Sequence, residues 1–157
     1  MRWKRPTRGL VDPDQFIPIA ERFGLINAMV DWLIEEACRQ AGAWRYEGLQ
    51  MRVAINLAAH QLRHPDLANR IDMALRRHDI KPHLLTCEIT ESAAMEDASN
   101  AIRMVERLNQ PGVNISIDDF GTGYSSPSYL RKLRAGERKI DKSFVLDLET
   151  SADARRR

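Results

Sequence analysis

The chain has 157 residues, 43% hydrophobic and 29% charged, which suits one packed domain and excludes a disordered tail. Its 24 basic and 22 acidic residues leave a net charge of +2 with no clustered basic stripe, so no nucleic-acid polymer is expected as a partner. No run approaches 18 apolar residues, and the basic start "MRWKRPTR" precedes no apolar signal core; a cytoplasmic location without a membrane span is expected.

Asp12-Pro13-Asp14-Gln15 predicts a helix start, with Asp12 as N-cap and Pro13 at the first helical position. Gly24 ends that helix, and a longer one follows with Ile26, Val30, Leu33, Ala37, Ala41 and Trp44 at helical spacing. Gly48 breaks the pattern before "MRVAINL", a strand-like run. From Pro65 and Asp66 a third helix turns Leu67, Ile71, Ala74 and Leu75 inward, with Arg76, Arg77 and His78 in its last turn, where cations suit the dipole. "HLLTCEIT" is the next strand. Asp97 to Leu108 forms a helix facing Ala98, Ile102, Val105 and Leu108 inward, "VNISIDD" a third strand and "ERKID" a shorter fourth. Strands alternating with helices argue for βα units on a parallel sheet. Cys38 and Cys87 form no C-x-x-C pair and are expected as buried free thiols. His60, His64, His78 and His83 show no metal spacing, and Trp32 and Trp44 are expected to pack.

Parity along the strands locates the chemistry, because alternate residues face opposite sides. Val113, Ile115 and Ile117 oppose Asn114, Ser116 and Asp118; Val53 and Ile55 oppose Ala54 and Asn56; Leu85, Cys87 and Ile89 oppose Thr86 and Glu88. Each polar face ends in a ligand-type side chain: Asn56, Glu88 or Asp118. In a βα barrel these converge at the C-terminal mouth. A hard divalent cation favours oxygen ligands and offsets the repulsion of adjacent acids. Asp119 joins such a site only if the strand turns there, which Gly121 and Gly123 permit. The pattern alone leaves two readings open, an acidic turn and a cation site.

"NLAAHQL", "CEITES", "IDDFGTGYSS" and "KIDKSF" occur here in the order and spacing of EAL domains, bacterial phosphodiesterases that cleave cyclic di-GMP. "RW…P…GLVDPDQFIPIAERFGLI" also resembles that family's segment after its Glu-Ala-Leu motif. The resemblance implies a modified (β/α)8 barrel with two Mg²⁺ or Mn²⁺ ions at its mouth. It implies Asn56, Glu88 and Asp118 as metal ligands, Asp118 bridging the ions and Asp119 on the second. Lys139 resembles the lysine that orients and deprotonates the attacking water. Glu91 resembles the glutamate holding the loop after "DDFG", a segment of family homodimers, and Arg2 resembles a residue near the substrate phosphate. The implied reaction is in-line attack of water on one phosphodiester, opening the ring to linear pGpG.

The chain contains neither Glu-Ala-Leu nor the family's later Ala-Glu-Gly-Val-Glu motif. The expectation is therefore an α/β fold with about four parallel strands of the barrel. Residues 1–148 would form a partial EAL domain, truncated at both ends, and 149–157 a polar tail. Arg138 on the helix-facing parity and Pro127 depart from the family pattern and imply altered packing. Weak or absent hydrolysis is expected of the chain as given, with a non-catalytic cyclic di-GMP-binding or protein-interaction module as the alternative.

Overall fold

A computed structural model describes residues 3–5, 9–121, 129 and 132–141 of the protein. It opens with an antiparallel hairpin of β1 (Trp3–Arg5) and β2 (Gly9–Val11). Helix α1 (Pro13–Arg22) follows. Asp12 holds its N-cap position with an extended backbone, yet the cap comes from its carbonyl, which accepts from the Gln15 N–H at 3.0 Å, and not from its carboxylate. The Trp3 ring meets Phe16 edge-on at 6.0 Å, tying the hairpin to this helix. Gly24, at φ 67°, makes the left-handed turn into α2 (Ile26–Tyr46).

The long helix buries Val30, Ile34, Ala37, Cys38 and Ala41. Ile26, Leu33 and Trp44 from the expected stripe sit at its half-buried rim instead. Strand β3 (Val53–Leu57) comes next, then a short helix, α3 (Ala59–Leu62), that periodicity could not predict. Its first turn is closed by Gln61, whose Oε1 accepts from the Ala58 N–H at 2.8 Å. Helix α4 (Leu67–Arg77) buries all four residues expected of it, and a 3₁₀ turn (Pro82–Leu84) leads into β4 (Leu85–Thr90).

A second unexpected helix, α5 (Glu91–Glu96), starts directly at the end of β4. Thr90 caps it, its hydroxyl accepting from the Ala93 N–H at 3.2 Å. Helix α6 (Ala98–Asn109) begins one residue after the expected start, because Asp97 is its N-cap, its carboxylate accepting from the Asn100 N–H at 3.2 Å. Its buried stripe is Ala101, Met104, Val105 and Leu108; Ala98 and Ile102 lie at the margin. The chain then enters β5 (Asn114–Phe120), and β6 (Glu137–Ile140) is the last strand described.

The main sheet is parallel throughout, in the order β3-β4-β5-β6. This is the α/β arrangement that the alternation of elements implies. Ile55, Cys87, Ile89, Ile115 and Ile117 are at most 2% exposed, beneath α2, α4 and α6. Burying each of the large aliphatic side chains stabilises the fold by about 1.5–3 kcal/mol. Cys38 and Cys87 are buried and free, as expected. Burial, with a smaller contribution from Glu35, pushes the Cys38 thiol up to about 11. Burial, with a smaller effect of Cys38, takes Cys87 to about 12. Neither thiol ionises readily, so both act as small core residues. Among the described residues no helix is long and apolar enough to cross a membrane.

Candidate cation site at the strand ends

The opposite face of the sheet carries the polar residues in layers set by strand register. Ala54, Thr86 and Asn114 form the lowest layer. Asn56, Glu88, Ser116 and Glu137 lie side by side above them across four strands. Asp118 stands one step nearer the C-terminal end, beside Thr90. The parity reading therefore holds for all three strands: Asn56, Glu88 and Asp118 share one face near the strand ends. Asn56 is exposed, Asp118 half-buried, and the Glu88 side chain only 12% exposed.

Lys139 brings β6 into this group. Its Nζ donates to Glu88 Oε1, forming an ion pair across the sheet. The ammonium is held above the ordinary lysine range, first by that hydrogen bond and then by the negative charge of Glu88, Asp118 and Glu137; burial opposes these effects. Lys139 is thus a fixed cation among carboxylates, placed to donate hydrogen bonds.

Asp119, exposed, follows Asp118 on β5 with an unusual backbone. Its φ of 53° is left-handed, and the register between β5 and β6 shifts between Ile117 and Phe120. The strand does not end at the second acid, as the glycines suggest it would: β5 runs on to Phe120, which pairs with Ile140, and Asp119 sits in an irregularity within it, with Gly121 following at φ 101°. Asp118 Oδ1 accepts from the Asp119 N–H at 3.1 Å.

Glu91, the first residue of α5, is 2% exposed. Its Oε2 accepts from the Gly121 N–H at 2.6 Å, so β4 and α5 hold the start of the segment following the two acids. The role that the resemblance implies for Glu91 concerns the segment that begins at Gly121. Tyr129 also reaches α5, its hydroxyl donating to the Ala94 carbonyl within that helix at 2.5 Å. Arg2, Gly123 and Pro127 lie outside the described residues. Arg138 is exposed beside Ile117 on the apolar parity, where the sequence places it.

Oxygen donors alone make up the set, an amide from Asn56 and carboxylates from Glu88, Asp118 and Asp119. That chemistry fits a hard divalent cation. Among the described residues no three His, Cys, Asp or Glu side chains close on one point, so the set is an open one in which Lys139 supplies positive charge. Sequence reasoning placed Ser116 on the right face without giving it a role. The side chain is wholly buried, and its hydroxyl has no hydrogen-bond partner among the described residues.

The EAL domain family model matches residues 1–157. MucR of Pseudomonas aeruginosa, a bifunctional diguanylate cyclase/cyclic di-GMP phosphodiesterase, is 46% identical over 154 residues, 98% of this chain and 22% of MucR. NbdA of the same organism, a cyclic di-GMP phosphodiesterase, is 41% identical over 152 residues, 96% of this chain and 19% of NbdA. The solved PaMucR phosphodiesterase in complex with c-di-GMP superposes with a TM-score of 0.89 at 45% identity, covering 98% of this chain and 63% of that one. The chain therefore spans about a fifth of the length of these curated relatives.

Proposed function

Because the chain belongs to the EAL domain family, we propose that the polar face of its sheet serves metal-dependent hydrolysis of cyclic di-GMP to pGpG. The observation that carries this reading is the convergence of Asn56, Glu88 and Asp118 at the ends of three adjacent parallel strands, with Lys139 bonded to Glu88. The c-di-GMP complex of the MucR phosphodiesterase supports the ligand class.

In this reading Asn56, Glu88 and Asp118 would hold Mg²⁺ or Mn²⁺, and Asp119 would serve a second ion. Such ions supply Lewis acidity toward water and phosphate oxygens. Lys139, held as an ammonium beside Glu88, donates a hydrogen bond to the incoming water or to a phosphate oxygen and so places it for in-line attack; it could accept a proton only after first giving one up. Glu91 fixes the Gly121 amide and with it the path of the segment after the acids; that segment also pairs two copies in this reading. The resemblance assigns Arg2, which lies outside the described residues, to the substrate phosphate. A cytoplasmic setting goes with a cytoplasmic nucleotide.

The described carboxylates make only an open set, so the chain by itself turns over substrate weakly. Purified chain is incubated with Mn²⁺ and cyclic di-GMP, pGpG is followed by chromatography, and nucleotide binding by calorimetry. Binding with turnover far below that of MucR is the expected result. Turnover equal to MucR would overturn the claim of weakness. Absence of both binding and turnover would overturn the assignment of the site, and binding without any turnover would make it a receptor.

A further inference from the structure

Ser116 is the one side chain on the polar face that is sealed from solvent and left without a partner among the described residues. A buried hydroxyl in that state is costly, by about 1–3 kcal/mol, unless something meets it. Its position says what does. Ser116 lies in register with Glu88 on one side and Glu137 on the other, directly below Asp118 on the same strand. The Ser116 hydroxyl makes no direct hydrogen bond to either neighbour, and neighbouring strands run about 4.8 Å apart. One water molecule, with two hydrogen bonds of about 2.8 Å, spans such a gap.

Of the two carboxylates, Glu88 is the sheltered one, at 12% side-chain exposure, whereas Glu137 is exposed. A bridging water persists where bulk solvent does not compete for its partners. One oxygen of Glu88, Oε1, is engaged by Lys139. Its Oε2 is the acceptor left for a donor on the β5 side.

We propose that Ser116 is a positioning residue: its hydroxyl binds one buried water that donates to Glu88 and, with Lys139, fixes the orientation in which Glu88 is presented. Two strands would then share the aiming of one carboxylate, Lys139 from β6 reaching over Ser116 on β5. The effect on cation binding rests on the proposed function of the site; the water bridge itself does not.

The test uses the full chain with Ser116→Ala and Ser116→Thr. Without metal, the carboxyl ¹³C resonance of Glu88 is compared by NMR. It shifts in Ser116→Ala and returns toward its original position in Ser116→Thr, which keeps the hydroxyl. A resonance unmoved by Ser116→Ala overturns the bridge. Mn²⁺ binding is then read by electron paramagnetic resonance: Ser116→Ala lowers the affinity about 3–10-fold, with the thermal midpoint of the metal-free protein as the control for folding. Equal affinity in Ser116→Ala and the unsubstituted chain overturns the positioning role. If the unsubstituted chain binds no Mn²⁺, the cation assignment fails, and the Glu88 resonance alone decides for or against the bridge. Should Ser116→Thr not fold, a high-resolution crystal structure decides: a water between Ser116 Oγ and Glu88 supports the bridge and its absence overturns it.

Discussion

The two faces of the four-stranded sheet come from the same residues read in alternation, yet they are built to opposite specifications. On one, Ile55, Ile89, Ile115 and Ile117 are closed under three helices. On the other, Asn56, Glu88, Asp118 and Lys139 are polar and partly open, and Lys139 pairs with Glu88. Stability is concentrated on the first, and the arrangement that could bind a cation lies on the second. The consequence is that a one-residue change of parity exchanges a folding defect for a chemical one.

Ile117→Ala should sharpen this contrast most. It empties a site with no exposed surface at the centre of the sheet and should cost about 2–5 kcal/mol in urea denaturation. Its strand neighbour Asp118 should behave in reverse: Asp118→Asn should change stability by less than about 1 kcal/mol while weakening Mn²⁺ binding at least 10-fold. If Asp118→Asn proves as destabilising as Ile117→Ala, the division of labour between the faces is wrong.

Glu91 bridges the two specifications, being both buried and ionisable. Removing it in Glu91→Ala leaves the Gly121 N–H without this acceptor and should cost about 1–3 kcal/mol. Faster hydrogen exchange at the Gly121 amide would localise the loss.

The smallest effect belongs to the outer layer, where Glu35 joins α2 to α4 through His78 at 2.9 Å and through Arg77. The His78 hydrogen bond, opposed by burial and aided by Arg77, holds the Glu35 carboxyl below its ordinary 4.5. A carboxyl depressed by folding contributes stability that is complete above its unfolded value and is lost as pH falls through the folded one. Urea midpoints should therefore decline below about pH 4.5, and Glu35→Gln should reduce that decline. Because the pair is more than a third exposed, the difference should stay under about 1 kcal/mol.

Much of this was written in the alternation itself. Val53, Ile55 and Leu57 against Ala54 and Asn56 suffice to assign a face, because a strand's period of two admits no other partition. The helices were harder. Ile34, Cys38, Ala101 and Met104 are buried where Leu33 and Ile102 were expected, since several neighbouring stripes satisfy the same spacing and packing against the sheet selects one. Helix α5 has six residues, too few for any period to show, although Thr90 ahead of Glu91 is a serviceable cap signal. The burial of Ser116 was hidden for another reason: it depends on which residues β4 and β6 place beside it, and register is not a property of one strand.

The left-handed backbone of Asp119 separates two things that substitution usually confounds. Most side chains resist that conformation, but asparagine adopts it about as readily as aspartate. The second acid can therefore lose its charge while the chain keeps its course. Shape and charge at the end of β5 are independently adjustable, and a descendant of this sequence could abandon one without disturbing the other.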